Sequence, residues 1–208
     1  MLALLTPIAK AFLTDNGHIA TNACMQVFGG HGFIKEWGME QFVRDNRINM
    51  IYEGTNTIQS LDLLGRKILG NNGATLKKFG KLVGKLVEEE GTNEKMSEFI
   101  TPVAILGDQM TKFTTEIGFK GFQNPDEVGA AAVDYLRVAG HLVFGYFFAR
   151  MAQVALREIA AGNTDPFYVA KLQTARFYFA KLFPETATLM RTARAGSKSL
   201  MDTEAALA

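Results

Sequence analysis

Apolar side chains recur at intervals of three and four residues along nearly the whole chain, and the alternation typical of β-strands is almost absent. In the segment 55–69, for example, Ile58, Leu61, Leu64 and Ile68 fall on one side of a predicted helix. Apolar residues make up 48% of the 208 residues and charged residues 21%, so the chain can bury a core of packed helices. The sequence therefore predicts an all-α fold.

Turn-forming residues and prolines interrupt this helical pattern. Residues 15–17 (Asp-Asn-Gly) predict a break in the first helical segment. Pro102 lacks a backbone donor and clashes with the preceding turn, so it is expected to kink or split the helix predicted over 92–118. The clearest boundary is 70–73, four consecutive turn residues. We therefore divide the chain into two predicted domains, helical bundles spanning 1–71 and 72–208.

Two later helices have well-marked starts. Asn124 precedes Pro125, and Asp165 precedes Pro166, an arrangement that offers a cap followed by proline in the first turn. The helix after Pro125 is expected to extend to about Ala161. Its inward face is predicted to consist of Val128, Ala132, Leu136, Ala139, Val143, Phe147, Val154 and Ile159.

Charge and composition exclude several classes of function. The net charge of +1 provides no global field that would recruit nucleic acid or an anionic membrane. The longest apolar stretches are far shorter than the roughly 20 residues of a membrane-spanning helix. His18, His31 and His141 lack ligand-like spacing, so we expect no metal site. The single cysteine, Cys24, fits a reducing compartment, and we expect a cytoplasmic protein.

Two short motifs are the main candidates for chemistry. A glycine-rich turn at 29–32 exposes backbone N–H groups that suit a phosphate, although such a turn by itself more often marks a helix end. Glu53 stands among apolar and small residues. It is either a surface residue in a loop before a helix capped by Thr55, or a desolvated carboxylate with a raised pKa that serves as a base. Physical chemistry alone favours a helix end for the glycine-rich turn and a surface loop position for Glu53.

The order and spacing of these motifs resemble those of a known family. The pattern Q-x-x-G-G-x-G-F ends at Phe33, Arg44-Asp45 follows eleven residues later, and Y-E-G-T begins eight residues after Arg44. Over residues 5–69 the chain is therefore similar to the C-terminal domain of flavin-dependent acyl-CoA dehydrogenases. The second half, 72–208, resembles more weakly the extra helical domain of the larger members.

The resemblance implies roles for individual residues. Glu53 matches the base that removes the α-proton of an acyl-CoA thioester while the β-hydride passes to FAD, which yields a trans-2-enoyl-CoA. Gly54 would let the thioester approach the backbone. Cofactor-binding positions of the family are matched by Thr55 and Thr57, which would contact FAD, and by Gln26, Gly29 and Gly30, which would bind its ADP part.

Nothing in the chain resembles the N-terminal helical domain or the β-domain of that family. We therefore interpret it as a truncated C-terminal helical bundle followed by a second bundle, inactive by itself and without stoichiometric FAD. The resemblance implies an acyl-CoA substrate, an electron-transfer flavoprotein as electron acceptor, and a homo-oligomer. The alternatives are an acyl-CoA oxidase and a helical oligomerisation or docking module without catalysis.

Overall fold

A computed structural model describes residues 1–202 of the chain. These residues form α-helices and no β-strand, which confirms the predicted all-α fold. The α-helices are α1 (Leu2–Val27), α2 (Gly30–Phe33), α3 (Met39–Arg47), α4 (Asn56–Leu61), α5 (Ala74–Glu90), α6 (Ser97–Gln123), α7 (Asp126–Ala160), α8 (Pro166–Phe177), α9 (Glu185–Arg194) and α10 (Lys198–Met201).

Other helical geometries extend or connect these helices. A π-helix at Asp62–Ile68 continues α4, and another at Tyr178–Leu182 continues α8. Short 3-10 turns occupy Lys35–Trp37, Ile48–Met50, Leu69–Asn71 and Glu94–Met96. Within the described part of the chain, every helix is too short or too polar to cross a membrane.

Helix α7 lies at the centre of the fold and packs against α1, α4, α6, α8 and α9. Because neighbours cover it on several sides, its buried residues surround most of the helix instead of forming one stripe. Ala132, Leu136 and Ala139 are buried as predicted, whereas the prediction is wrong for Phe147 and Val154, which are 50% and 40% exposed. Periodicity indicates a helix but does not reveal how many neighbours the helix has.

Glycines in α7 allow the close approach of aromatic rings. A Cβ atom at Gly140 would clash with the ring of Phe12 from α1, and a Cβ at Gly145 would lie 2.7 Å from the ring of Phe183. Phe12 also packs edge-on against His141 at 4.9 Å between ring centroids. Helix α1 is thus held close to α7 by a ring that lies directly on glycine backbone.

The predicted break at residues 15–17 is wrong, because α1 continues through them. The polar groups have partners that keep the helix intact: Asn16 donates from Nδ2 to the carbonyl oxygen of Phe12 at 2.7 Å. Gly17 leaves room for Asn46, whose Nδ2 atom would lie 3.2 Å from a Cβ at that position. Residues 15–17 have a sequence typical of a turn, but in this fold they are helical and form a surface that contacts Asn46.

Pro102 likewise does not split its helix, because α6 runs through it. It lies six residues into the helix, shortly after the 3-10 turn at Glu94–Met96.

The predicted cap before α7 is present, since Asn124 accepts a hydrogen bond at Oδ1 from the backbone N–H of Asp126 at 3.1 Å.

The boundary expected at 70–73 is a sharp turn between the 3-10 turn Leu69–Asn71 and α5. Asn72 and Gly73 both have left-handed backbone conformations, with φ of 54° and 71°. The buried core nevertheless includes residues from both sides of this turn, such as Phe12 and Leu142. The division into domains 1–71 and 72–208 stays a prediction.

Candidate active site

Glu53 lies in the loop that joins the 3-10 turn Ile48–Met50 to α4. Glu53 and Gly54 have consecutive left-handed backbone conformations, with φ of 53° and 82°. A residue with a Cβ adopts such a conformation uncommonly, and it persists only where neighbouring groups hold it. Position 54 favours glycine for two reasons. Its φ is left-handed, and a Cβ there would lie 3.2 Å from Nε2 of Gln59.

The first turn and a half of α4 holds this loop in place. Gln59 donates from Nε2 to the backbone carbonyl oxygen of Glu53 at 3.1 Å. Thr55 is the N-cap, as predicted, and its hydroxyl oxygen accepts from the backbone N–H of Ile58 at 3.4 Å. The Glu53 side chain itself is exposed, so residues 1–202 do not provide the poorly hydrated environment expected for a base.

A polar network joins the start of α4 to the middle of α1. Asn56 accepts at Oδ1 from Nζ of Lys10 at 2.7 Å and donates from Nδ2 to the Asp15 carboxylate at 2.6 Å. Burial lowers the pKa of Lys10, and the negative charges of Asp15 and Glu53 oppose that shift. The charge of Glu53 therefore acts on the Lys10 ammonium across the loop.

The glycine turn follows the C-terminal end of α1. Gln26 is in its last turn, Gly29 has a φ of 60°, and Gly30 begins α2. A Cβ at Gly29 or Gly30 would meet no atom within 4 Å, so this backbone faces open space. Gly32, in contrast, is buried, and a Cβ there would clash with the carbonyl oxygen of Met25.

The structure groups the predicted site residues into two sets. Glu53, Gly54 and Thr55 share one loop, and Thr57 follows in the first turn of α4. Gln26, beside the glycine turn, lies eleven residues after Asp15 on α1, or roughly 16 Å along the helix axis. The predicted side chains in both sets are exposed, and the two sets do not form one enclosed site among the described residues.

Sequence reasoning missed the residues that anchor the Glu53 loop. Lys10 and Asp15 are 46 and 41 positions from Asn56, and no local pattern links positions so far apart. The available signal was the presence of polar residues within the first predicted helix. The turn propensity of residues 15–17 predicts a break at Asp15 instead.

Two family models match adjoining parts of the chain. The model described as "Acyl-CoA dehydrogenase, C-terminal domain" matches residues 3–69, and that described as "Acetyl-CoA dehydrogenase C-terminal like" matches residues 76–204. Both describe C-terminal helical domains of dehydrogenases that act on CoA thioesters. The chain belongs to the acyl-CoA dehydrogenase family.

Similar proteins carry names from the same family. The 3-methylmercaptopropionyl-CoA dehydrogenase of Ruegeria pomeroyi is 32% identical over 190 residues, which cover 89% of this chain and 32% of that protein. A butyryl-CoA dehydrogenase of Syntrophomonas wolfei is 28% identical over 209 residues, which cover 97% of this chain and 34% of that protein. The chain spans about a third of the length of these curated relatives.

Proposed function

We propose that this chain is part of an enzyme that oxidises an acyl-CoA thioester to a trans-2-enoyl-CoA, and that Glu53 removes the α-proton. Family membership supports the class of reaction, and similar proteins are named as dehydrogenases of acyl-CoA thioesters. The observation that carries the assignment of Glu53 is its left-handed backbone, held by Gln59 beside a glycine. Such a conformation is typical of residues whose position matters more than local stability.

Residues of this chain would provide the base for the proposed reaction and its immediate surroundings. The carboxylate of Glu53 is free of hydrogen bonds to other described side chains, so it can accept the α-proton at one of its oxygens. The Lys10 ammonium is the charged partner near that carboxylate, because the negative charge of Glu53 opposes the lowering of the Lys10 pKa by burial. The family resemblance assigns Gly54, next to the base, to the place where the thioester approaches the backbone.

The remaining predicted residues fit FAD. The backbone at Gly29 and Gly30 has open space where a Cβ would stand, which allows a phosphate to approach. Thr55 and Thr57 present exposed side chains at the start of α4, and Gln26 is exposed beside the glycine turn. These residues would hold FAD, which would supply the acceptor for the β-hydride while Glu53 takes the α-proton.

Within this proposal the electron acceptor is an electron-transfer flavoprotein, and an acyl-CoA oxidase is the alternative within the class. Rapid reoxidation of the reduced whole protein by air would favour the oxidase. The exposed apolar residues of the segment 13–62 favour a second function for the chain by itself, that of a helical docking or oligomerisation module.

The decisive experiment replaces Glu53 with glutamine in the whole, flavin-loaded protein. Glu53→Gln keeps size and shape but removes the basic oxygen, so we expect the rate of flavin bleaching by saturating acyl-CoA under anaerobic conditions to fall by at least about 10²-fold. Flavin content and thermal stability should stay near those of the unchanged protein. The matched control is Glu36→Gln, at another exposed glutamate, which should bleach at the normal rate. Normal bleaching of Glu53→Gln would refute the assignment.

A further inference from the structure

A groove with a volume of about 1230 Å³ runs along α5 and α6. Its apolar lining includes Leu69, Leu76, Val87, Val128 and Leu142. The volume exceeds the roughly 300–1,000 Å³ typical of pockets for small ligands. We propose that this groove binds the long apolar chain of an amphiphilic anion, namely a fatty acyl chain with a negatively charged head.

Glycine backbone on α5 opens the groove. Gly80 and Gly84 both line it, and a Cβ at either position would meet no atom within 4 Å. On the opposite helix, glycines pack closely on neighbours instead: a Cβ at Gly107 would lie 3.6 Å from Val83, and one at Gly118 would lie 3.1 Å from Leu69. Helices α5 and α6 therefore touch through Val83 while the space beside Gly80 and Gly84 stays open for a chain-like ligand.

The hydroxyl groups that line the groove are already engaged within the protein. Thr111 donates to the carbonyl oxygen of Gly107 at 3.2 Å, and Thr115 donates to that of Thr111 at 3.1 Å. Thr114 bonds to the carbonyl oxygen of Met110 at 2.7 Å and to the hydroxyl of Tyr135 at 2.6 Å. A sugar or a nucleotide base needs free polar partners in its pocket, whereas an apolar chain does not. The threonine hydroxyls along the groove therefore offer no free donor, which suits an apolar chain there.

The rim of the groove carries the charge that an anionic head requires. Lys77 and Lys81 line it one helical turn apart on α5, where they share a face. Within residues 1–202 neither lysine has an acidic partner within ion-pair distance. Asp108 on α6 is the acidic residue among those lining the groove. The two lysines outnumber it, so the lining favours a negative head.

Binding in the groove is independent of the proposed catalytic role of Glu53. None of the candidate active-site residues lines the groove. Two sources share the required chemistry, a free fatty carboxylate and a fatty acyl thioester of CoA. Both present an unbranched apolar chain with negative charge at one end.

The first measurement uses the purified chain and saturated fatty carboxylates of increasing length, which compete with a fluorescent fatty carboxylate below their micelle concentrations. Each methylene buried in the groove should tighten binding by up to about fourfold until the groove is filled. Palmitate and palmitoyl-CoA are compared directly. Binding of either supports the proposal and identifies the source, whereas absence of saturable binding by both overturns it.

The second measurement uses a variant that fills the groove. Gly84→Leu places a side chain in open space, so palmitate binding should weaken on the order of tenfold, as expected when about two methylenes lose their contacts. Thermal stability should rise, because leucine is a far better helix former than glycine. Loss of binding therefore cannot be attributed to unfolding. The matched control is Gly129→Leu, at a glycine of α7 that also faces open space but does not line the groove.

The third measurement tests the lysine pair. Lys77→Met combined with Lys81→Met should weaken binding of palmitate by roughly three- to tenfold, the range for exposed charge pairs, and should leave hexadecanol binding unchanged. Equal losses for palmitate and hexadecanol would overturn the assignment of an anionic head. Palmitate binding by Gly84→Leu at the affinity of the unchanged chain would overturn the groove as the site.

Discussion

At the scale of single residues, Glu53 holds a conformation that its own side chain disfavours. A left-handed backbone costs a residue with a Cβ about 1–3 kcal/mol. The hydrogen bond from Gln59 to the Glu53 carbonyl and the cap formed by Thr55 offset this cost, because both fix the loop relative to α4. The Gln59 bond reaches the backbone and not the carboxylate, so it sets the position of the base and not its charge.

This arrangement predicts a specific effect of Gln59→Leu in the whole protein. Loss of the bond should reduce turnover by about tenfold with little change in KM, because a misplaced base slows proton transfer without weakening substrate binding. The midpoint of the pH–rate profile should not move. Steady-state kinetics across pH would check both points.

The matched control is Gln41→Leu, which removes an exposed side-chain bond to Asp45 at 2.6 Å on α3. Turnover of this control should stay normal. Equal turnover for Gln59→Leu and the unchanged protein would show that Gln59 does not position Glu53.

At the scale of helices, a partly buried polar cluster joins α7 to α9 and to the π-helix that follows α8. Arg137 binds both carboxylate oxygens of Glu185, at 2.6 and 2.9 Å. His141, only 2% exposed, contacts Glu185 at 3.2 Å through Nε2 and the Tyr178 hydroxyl at 3.0 Å through Nδ1. A neutral imidazole protonated at Nε2 satisfies both contacts, since it donates to Glu185 and accepts from Tyr178.

Burial lowers the pKa of His141, although the contact with Glu185 opposes the shift. Below about pH 6.5, the usual histidine pKa, the unfolded chain therefore binds more protons at this position than the folded one. The free energy of unfolding should fall as pH falls from 7.5 to 5.5, with a slope of up to about 1.4 kcal/mol per pH unit from His141. This window lies above the titration of Glu185, whose pKa the Arg137 hydrogen bonds lower.

Denaturant unfolding at several pH values would measure this effect. His141→Gln should lose part of the pH dependence, whereas His31→Gln, at an exposed histidine in α2, should keep it. An unchanged pH dependence in His141→Gln would show that burial of this imidazole does not couple protonation to folding.

At the scale of the whole molecule, the segment 13–62 contributes almost nothing to the core. Its buried residues are Gly32 and Ser60 alone, and α3 has none. Many bulky apolar side chains of this segment are exposed instead, namely Leu13, Ile19, Val27, Phe28, Phe33, Ile34, Trp37, Phe42, Ile48, Ile51, Tyr52, Ile58 and Leu61. Surface of this kind is typical of an interface.

We therefore expect the purified chain to self-associate through this segment. Phe33→Lys combined with Phe42→Lys, at side chains that are 76% and 62% exposed, should shift the chain toward the monomer, because a charge opposes burial of the surface. Sedimentation velocity over a range of concentrations would measure the shift. The control Phe167→Lys, at a phenylalanine of α8 that is 54% exposed, should associate like the unchanged chain. A monomeric unchanged chain at every concentration would contradict the prediction.

The sequence by itself determined the features that depend on neighbouring residues. The all-α fold follows from apolar spacing, and the caps at Thr55 and Asp165 follow from side chains that bond to backbone N–H groups within three positions. The family likewise follows from short motifs, since their order and spacing are properties of the chain itself.

Only the tertiary structure decided the features that join distant positions. The segment 15–17 remains helical because its side chains find partners on the same helix and on α4, which its local turn propensity does not predict. The burial of α7 on several sides, and the exposure of Phe147, depend on which helices surround it. The network around Asn56 links positions more than 40 residues apart. Such contacts form where helices pack, and packing depends on the shape of the whole chain rather than on any one segment of it.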